Sequence, residues 1–267
     1  PYARGPSRSR PMEDILWEAR RLVEVGYKEI VLTGTHLGLY GKDLFSSSDM
    51  IDTWDGPKTP DLPLVIRNLT EIEGLLRLRL SSLEPHDVTP ALIHCLRYPQ
   101  VCNHLHLPLQ SGSDEILGIM GRPYDSSTFL DIVEEARKVS PNIGISSDIM
   151  VGFPGENEKE FEDTLKVMES ARFSRVHVFR YSPRPGTPAS NFEGQVPEKE
   201  KERRSKAAIA LGRKLSLEFN QRLLGKRVEV LVEEDRSREG FLQGLTRNYV
   251  RVWFQGPDEL KGEIVEV

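Results

Sequence analysis

The sequence predicts an α/β protein built on a parallel sheet, followed by a small all-β domain. Three observations carry this. Between residues 12 and 196, apolar strand-like segments alternate with amphipathic helical ones, the βαβα order of a parallel sheet. Five of the strands run straight into polar or Gly-rich loops, with tips at residues 34, 82, 110, 152 and 182. After Gly225 the pattern changes to short strands separated by Gly and Asn turns. Local pattern alone leaves two forms open for the parallel part, a barrel or an open doubly wound sheet.

The 267 residues suffice for one large domain and a small one. With 29% charged and 38% hydrophobic residues, the chain has the composition of a folded globular protein, not a disordered one. No apolar run approaches the ~20 residues of a membrane span and no signal peptide opens the chain, so the expectation is a cytoplasmic protein without membrane contact. Two cysteines argue against a disulfide framework. Net charge is −5, so nucleic-acid binding has to rest on a local basic patch. The chain opens on Pro1 rather than Met, which suggests a fragment.

Residues 1–11 read as a loop in which Arg4, Arg8 and Arg10 have no acidic neighbour. Met12 to Val25 reads as an amphipathic helix with Ile15, Leu16, Ala19, Leu22 and Val23 on one face, stopped by Gly26. Lys28 to Thr33 is a short buried-type strand, running into the Gly-rich loop 34–41 that carries His36. Residues 42–63 read as a loop insertion. Leu64 to Glu73 is a helix, and Leu75 to Ser81 alternates as a strand ending at Glu84. Thr89 and Pro90 open a helix to about Leu96 as cap and first-turn proline.

The stretch from His104 to Asp125 enters as a strand, with Leu105, Leu107 and Leu109 at period two. It ends in a polar turn, Gln110-Ser111-Gly112-Ser113, where Ser113 caps the next helix and Gly121 ends it. A helix follows from Ser127 to Val139, then a strand from Ile143 to Val151 with residues 152–156 at its tip. Glu156 to Ala171 is a helix, and Arg175 to Tyr181 the fifth strand. Pro197 to Leu224 reads as one long basic helix. From Glu198 to Arg227 there are ten Lys or Arg against four Glu, the mark either of a solvated face or of a polyanion contact.

The segments TGTHLGLYG, RLSSLEP, HLPLQSGSDEILGIMGRPY, SDIMVGFPGE and FRYSPRPGTPA, in this order, resemble the radical S-adenosylmethionine methylthiotransferases. The His in THLG is similar to the branch that methylthiolates threonylcarbamoyladenosine beside the tRNA anticodon. The β tail resembles a TRAM domain, an RNA-binding module. The resemblance implies a partial (β/α) parallel barrel lacking its first strand, plus a small all-β C-terminal barrel. Its domains are residues 1–196, a basic linker helix over 197–224, and a TRAM-like domain over 225–267.

The resemblance also implies a chemistry. In the family a reduced [4Fe–4S] cluster cleaves S-adenosylmethionine to a radical that activates C2 of the modified adenosine for methylthio insertion. The family's cluster-binding C-x3-C-x2-C stands before a segment like residues 1–5. Cys95 and Cys102 do not have that spacing, so these residues are expected to be inactive by themselves.

By resemblance, His36 and Glu84 face the methionine ammonium and Arg122 its carboxylate. Gln110, Ser111 and Asp148 hold ribose hydroxyls, the backbone at Val151, Gly152 and Phe153 flanks adenine, and Tyr181 joins the same cavity. In the tail, Arg247, Tyr249, Arg251 and Trp253 are expected on one strand face, with the first three contacting RNA. The expected partners are S-adenosylmethionine and a tRNA anticodon arm, met as a monomer. A non-catalytic tRNA-binding relative is the alternative. An unrelated lyase barrel is disfavoured, because no Lys stands at a strand tip.

Overall fold

The computed structural model describes residues 5–44, 60–237 and 239–267. The insertion expected over 42–63 lies mostly outside these. The order is α1 (Met12–Glu24), β1 (Glu29–Leu32), α2 (Leu62–Thr70), β2 (Arg77–Leu80), α3 (Pro90–Cys95), β3 (His104–His106), α4 (Asp114–Ile119), α5 (Ser126–Val139), β4 (Gly144–Val151), α6 (Glu158–Ala171) and β5 (Arg175–Arg180). After it come α7 (Glu198–Gln221) and an all-β tail, β6 (Glu229–Val232), β7 (Leu242–Thr246), β8 (Arg251–Phe254) and β9 (Ile264–Glu266). All five expected parallel strands are present. Among the described residues no helix is long and apolar enough to cross a membrane.

Contacts divide the chain into two compact units, Pro1–His104 with Arg227–Val267, and Leu105–Lys226. In the first, β1 pairs with β2 in parallel, with Glu29 opposite Arg77 and Leu32 opposite Leu80. The other edge of β1 pairs with no strand among the described residues. The tail adds an antiparallel sheet in the order β8-β7-β6-β9 around Val230, Val232 and Leu242. The second unit holds the order β3-β4-β5, with β4 and β5 parallel and Asp148 opposite His177. Its core is built from Leu107, Leu109, Ile116, Phe129, Ile145, Ile149 and Phe173.

Local chemistry sets the helix starts. Asp61, Thr89, Ser113 and Asp125 each accept a first-turn amide. Asn157 and Glu160 form a capping box on α6.

Two local expectations are corrected. Strand β1 is not deeply buried: Val31 is 47% exposed. Strand β2 does not alternate between core and solvent, since all four residues of RLRL are buried. Arg77 and Arg79 are covered because the β tail packs on them. Arg77 Nη1 donates to the Leu245 carbonyl at 3.0 Å, and Arg79 donates to the Thr246 and Arg247 carbonyls at 3.2 Å each. Glu29 on β1 takes both its carboxylate oxygens to Arg79, at 2.6 and 3.0 Å. Two arginines that sequence pattern puts toward water are therefore the seat of the tail.

Candidate functional site

The second unit presents the richest polar strand ends. Gln110 closes the β3 segment in the left-handed region, at φ 67°, a costly conformation for a residue with a Cβ. It is held there by β4: its N–H donates to the Asp148 carbonyl at 2.9 Å, and its carbonyl accepts from Met150 at 2.8 Å. The backbone kink turns the chain into the Ser111-Gly112 loop. Gly112 passes so near α6 that a Cβ there would stand 2.6 Å from the Thr164 Cα. Ser111 is fully buried, with its hydroxyl 3.3 Å from Thr164 Oγ1 and accepting from the Ser113 amide. The Ser111 hydroxyl thus secures the loop.

Asp148 lies on β4 with its side chain 29% exposed. His106 on β3 stands 3.4 Å from it through Nε2, and 2.9 Å from the Ser146 hydroxyl through Nδ1. The chain Ser146–His106–Asp148 orients the carboxylate. His177 on β5 faces the same group, its ring 6.3 Å from His106. Burial, with Arg175 beside it, lowers the His177 pKa below its ordinary value against the pull of Asp148. Sequence reading missed His106 and His177. The signal was their position: each sits on a strand on the same face as Asp148, His177 directly opposite it in register.

At the β4 tip, Val151 is buried and its carbonyl accepts from the Tyr181 amide at 2.9 Å. Phe153 and Tyr181 meet edge to face at 5.1 Å, over Ile116. The Tyr181 hydroxyl is buried and has no hydrogen-bond partner among the described residues.

Helix α7 closes this tip. Gly152 takes φ 76° under Lys201, where a Cβ would stand 2.3 Å from the lysine Cγ. Lys201 Nζ donates to the Tyr181 carbonyl at 3.1 Å. Arg204 pairs with Glu156 at 2.8 Å, and Glu156 also accepts from the Gly152 amide at 2.9 Å. Burial raises the Glu156 pKa against both partners. The solvated-face reading of α7 is thus corrected at Lys201 and Arg204, which are buried, while Arg203 and Lys206 are exposed.

In the first unit, the loop after β1 brings His36 Nε2 to 2.5 Å from Asp87 Oδ2. Glu84 is half-buried and precedes the 3-10 turn Pro85–Asp87. Arg122, in the second unit, is half-buried just past Gly121.

The tail departs from expectation. Arg247, Tyr249, Arg251 and Trp253 do not share one strand face, because β8 begins only at Arg251. Tyr249 lies in the turn before it at φ 68°. Its ring stacks on His104 at 4.5 Å and meets the Arg79 guanidinium at 5.0 Å. Arg247 donates to the Pro99 and Val101 carbonyls. Both residues anchor the tail. Arg251 pairs with Glu233, and Trp253 is 56% exposed, so Trp253 is no part of a small-barrel core.

The groups the sequence implies can be tested against these residues. The buried, unpartnered Tyr181 hydroxyl, the strained Gln110 and the oriented Asp148 fit a polar ligand such as S-adenosylmethionine. Cys95 and Cys102 do not have the character of iron–sulfur ligands. Cys95 and Cys102 are both buried, and burial pushes each thiol up to about 11, the opposite of a metal-ready thiolate. Cys95 donates to the Ala91 carbonyl at 3.3 Å, and Cys102 lies 3.8 Å from Glu29.

Residues 1–168 match the model of the Radical SAM superfamily, and residues 221–267 that of the TRAM domain. The chain is 38% identical over 100% of its length to the threonylcarbamoyladenosine tRNA methylthiotransferase MtaB of Bacillus subtilis, covering 57% of that protein. It is 41% identical over 95% of its length to MtaB of Thermotoga maritima, covering 56% of it. A tRNA-2-methylthio-N(6)-dimethylallyladenosine synthase of Acetivibrio thermocellus is 40% identical over 100% of this chain and 54% of its own. The chain spans about half the length of the curated relatives it matches.

Among solved structures, coproporphyrinogen III oxidase HemN of Escherichia coli, a radical SAM enzyme, aligns with TM-score 0.52 and 15% identity over 78% of this chain and 47% of its own. The radical S-adenosylmethionine methyltransferase TsrM of Kitasatospora setae aligns with TM-score 0.52 and 14% identity over 68% of this chain and 33% of its own. At such identity the likeness is one of fold. The superfamily match covers more than half of the sequence, and the chain belongs to the Radical SAM superfamily, with a TRAM domain at its C-terminal end.

Proposed function

We propose that these residues are the S-adenosylmethionine-binding and tRNA-binding part of a tRNA methylthiotransferase that acts on threonylcarbamoyladenosine next to the anticodon. The observation that carries the reading is the β3–β4 tip. There a strained Gln110, an Asp148 oriented by His106, and a buried Tyr181 hydroxyl await a ligand rich in hydroxyls and charge. Bound S-adenosylmethionine supplies a one-electron-cleavable sulfonium and a methyl group in this superfamily's chemistry. The residues bind and orient. Asp148 accepts from ribose hydroxyls, and His106 and Ser146 keep its carboxylate turned inward. Gln110 offers a side-chain amide from a backbone that cannot relax. Phe153 and the Gly152 backbone, backed by Lys201, shield an adenine face from water. Arg122 carries the charge that suits a methionine carboxylate.

Two cysteines of raised pKa do not ligate a cluster, so no electron-transfer step is assigned to these residues. Anaerobic incubation of the 267-residue chain with iron and sulfide is expected to yield no stoichiometric [4Fe–4S] absorbance. Such a cluster, formed stoichiometrically, would refute this assignment.

The threonylcarbamoyladenosine substrate is supported by the His of THLG and by the identity to MtaB, although a dimethylallyladenosine synthase is as similar. The chain is taken to act as a monomer. The RNA-facing groups of the tail are the exposed Trp253 and its strand neighbour Arg251, rather than Arg247 and Tyr249. The test is affinity for an anticodon stem-loop across a salt series, carrying either modification. The expected result is tighter binding of the threonylcarbamoyl form and a weaker complex in Trp253→Ala, by the roughly 1–3 kcal/mol of a stacked base. Equal affinity for both stem-loops would remove the branch assignment, and unchanged affinity in Trp253→Ala would remove the stacking role.

A further inference from the structure

From the geometry of the loop after β1 and the turn after β2, we infer a binding site for a divalent transition-metal ion, formed by His36, His86 and Asp87. The donor atoms of the three all lie within 4.8 Å of one another. His36 Nε2 is 2.5 Å from Asp87 Oδ2, and His86 Nε2 is 3.8 Å from the same oxygen. The two imidazoles stand edge to face with centroids 5.7 Å apart, close enough for one nitrogen of each to lie beside the carboxylate. Two imidazoles and one carboxylate on one side, with further positions open to water, is the donor set of zinc and of other first-row divalent ions.

The site is built rather than incidental. Asp87 is the fixed member: its side chain is 3% exposed. Gly38 passes so close above it that a Cβ at position 38 would stand 2.3 Å from the Asp87 Cβ. Packing therefore locks the carboxylate before any ion arrives, and little ordering cost remains on binding. The histidines are the accessible members, at 32% and 31% side-chain exposure, and give an ion its path in.

Lys42 pairs with the same carboxylate, its Nζ 3.6 Å from Asp87 Oδ1. It meets the oxygen that faces neither histidine, and its side chain is 67% exposed, so it can swing into water as the ion enters. The ion takes the place of the direct contact between His36 and Asp87. One carboxylate and two neutral imidazoles then leave a +2 ion with a net charge of +1, which water ligands complete.

Neither the ligand set nor its place depends on the tRNA reading, and the test is separate from it. The untagged 267-residue chain, stripped with chelator and desalted, is titrated calorimetrically with zinc chloride. One saturable site is expected. His86→Ala and Asp87→Asn, each checked for native far-UV circular dichroism, should weaken it by at least the roughly ten-fold that loss of even an outer-shell partner costs. His86→Ala is the milder variant, because the His86 side chain is far more exposed than that of Asp87. His106→Gln, in the other histidine cluster, should leave the affinity unchanged. Cobalt bound at the site should give visible d–d bands without the intense near-ultraviolet absorption of a cobalt–thiolate bond. No saturable zinc binding, an affinity unchanged in folded His86→Ala, loss of binding in His106→Gln, or a thiolate band would each overturn the inference. In the first two cases His36 and Asp87 are simply a hydrogen-bonded clamp on the loop.

Discussion

Strands β2 and β4 are both short, parallel and rich in polar residues, yet they use those residues in opposite ways. On β2, Arg77 and Arg79 are buried: Arg79 donates to Glu29 and to two tail carbonyls, and Arg77 Nη1 to a third. On β4, Ser146 and Asp148 sit on the inward parity, and Asp148 keeps part of its carboxylate open. The difference lies in what covers each strand. A second layer of backbone lies over β2, and backbone carbonyls are ideal acceptors for guanidinium. Nothing of that kind lies over Asp148 within its own unit. The first arrangement holds a fold together, and the second leaves a carboxylate open to the proposed ligand.

This comparison makes predictions of decreasing size. Arg79→Ala leaves Glu29 without its bidentate partner and two tail carbonyls, those of Thr246 and Arg247, without a donor. It should cost about 3–5 kcal/mol in a urea unfolding series. A loss below 1 kcal/mol would mean that the tail is not seated on β2. Gln110→Gly should behave in the opposite sense. Relief of the left-handed strain, about 1–2 kcal/mol, outweighs the extra freedom glycine gains when unfolded, about 0.5–1 kcal/mol, so stability should hold or rise slightly. Binding of S-adenosylmethionine should fall at the same time. A Gln110→Gly protein that is clearly less stable would show that the side chain serves the fold.

The smallest effect concerns pH. The folded-state pKa of His177 lies below its unfolded value near 6.5. In that window the unfolded chain binds more protons than the folded one, so stability falls as pH drops below 6.5 and levels off beneath the folded pKa. His177→Gln should flatten that limb of the stability curve, measured by thermal melts between pH 5 and 8. An identical pH dependence in the variant would sink the assignment to His177.

Much of the fold was legible in the sequence because its signals are local. Thr89-Pro90, Ser113 and Gly121 each mark a helix end through their own backbone chemistry, and each stands where expected. Period-two leucines in β3 likewise fix which face is buried. What was not legible depends on a partner far along the chain. Nothing near Arg77 announces that a turn some 168 residues later will cover it. Tyr249 was read on a strand because its neighbours alternate, but the β7–β8 turn puts it at positive φ against His104. The candidate site divides in the same manner. Gln110 and Asp148 were found from the strands leading to the tips, whereas His106 and His177 on the neighbouring strands, His177 directly opposite Asp148, pass for polar breaks in the strand pattern.

The central claim is that ligand binding belongs to the second unit's strand tips and tail anchoring to the first unit's arginines and Tyr249. Calorimetric titration of S-adenosylmethionine into the wild-type chain, Asp148→Ala and Tyr249→Ala, with melting temperatures recorded for all three, tests it most directly. Asp148→Ala should melt with the wild type and bind about ten-fold or more weakly, the ~1.4 kcal/mol of a lost charge-assisted hydrogen bond. Tyr249→Ala should melt lower and, while folded, bind as the wild type does. An Asp148→Ala protein that binds S-adenosylmethionine with undiminished affinity, or a stably folded Tyr249→Ala protein that does not bind it, would contradict the account.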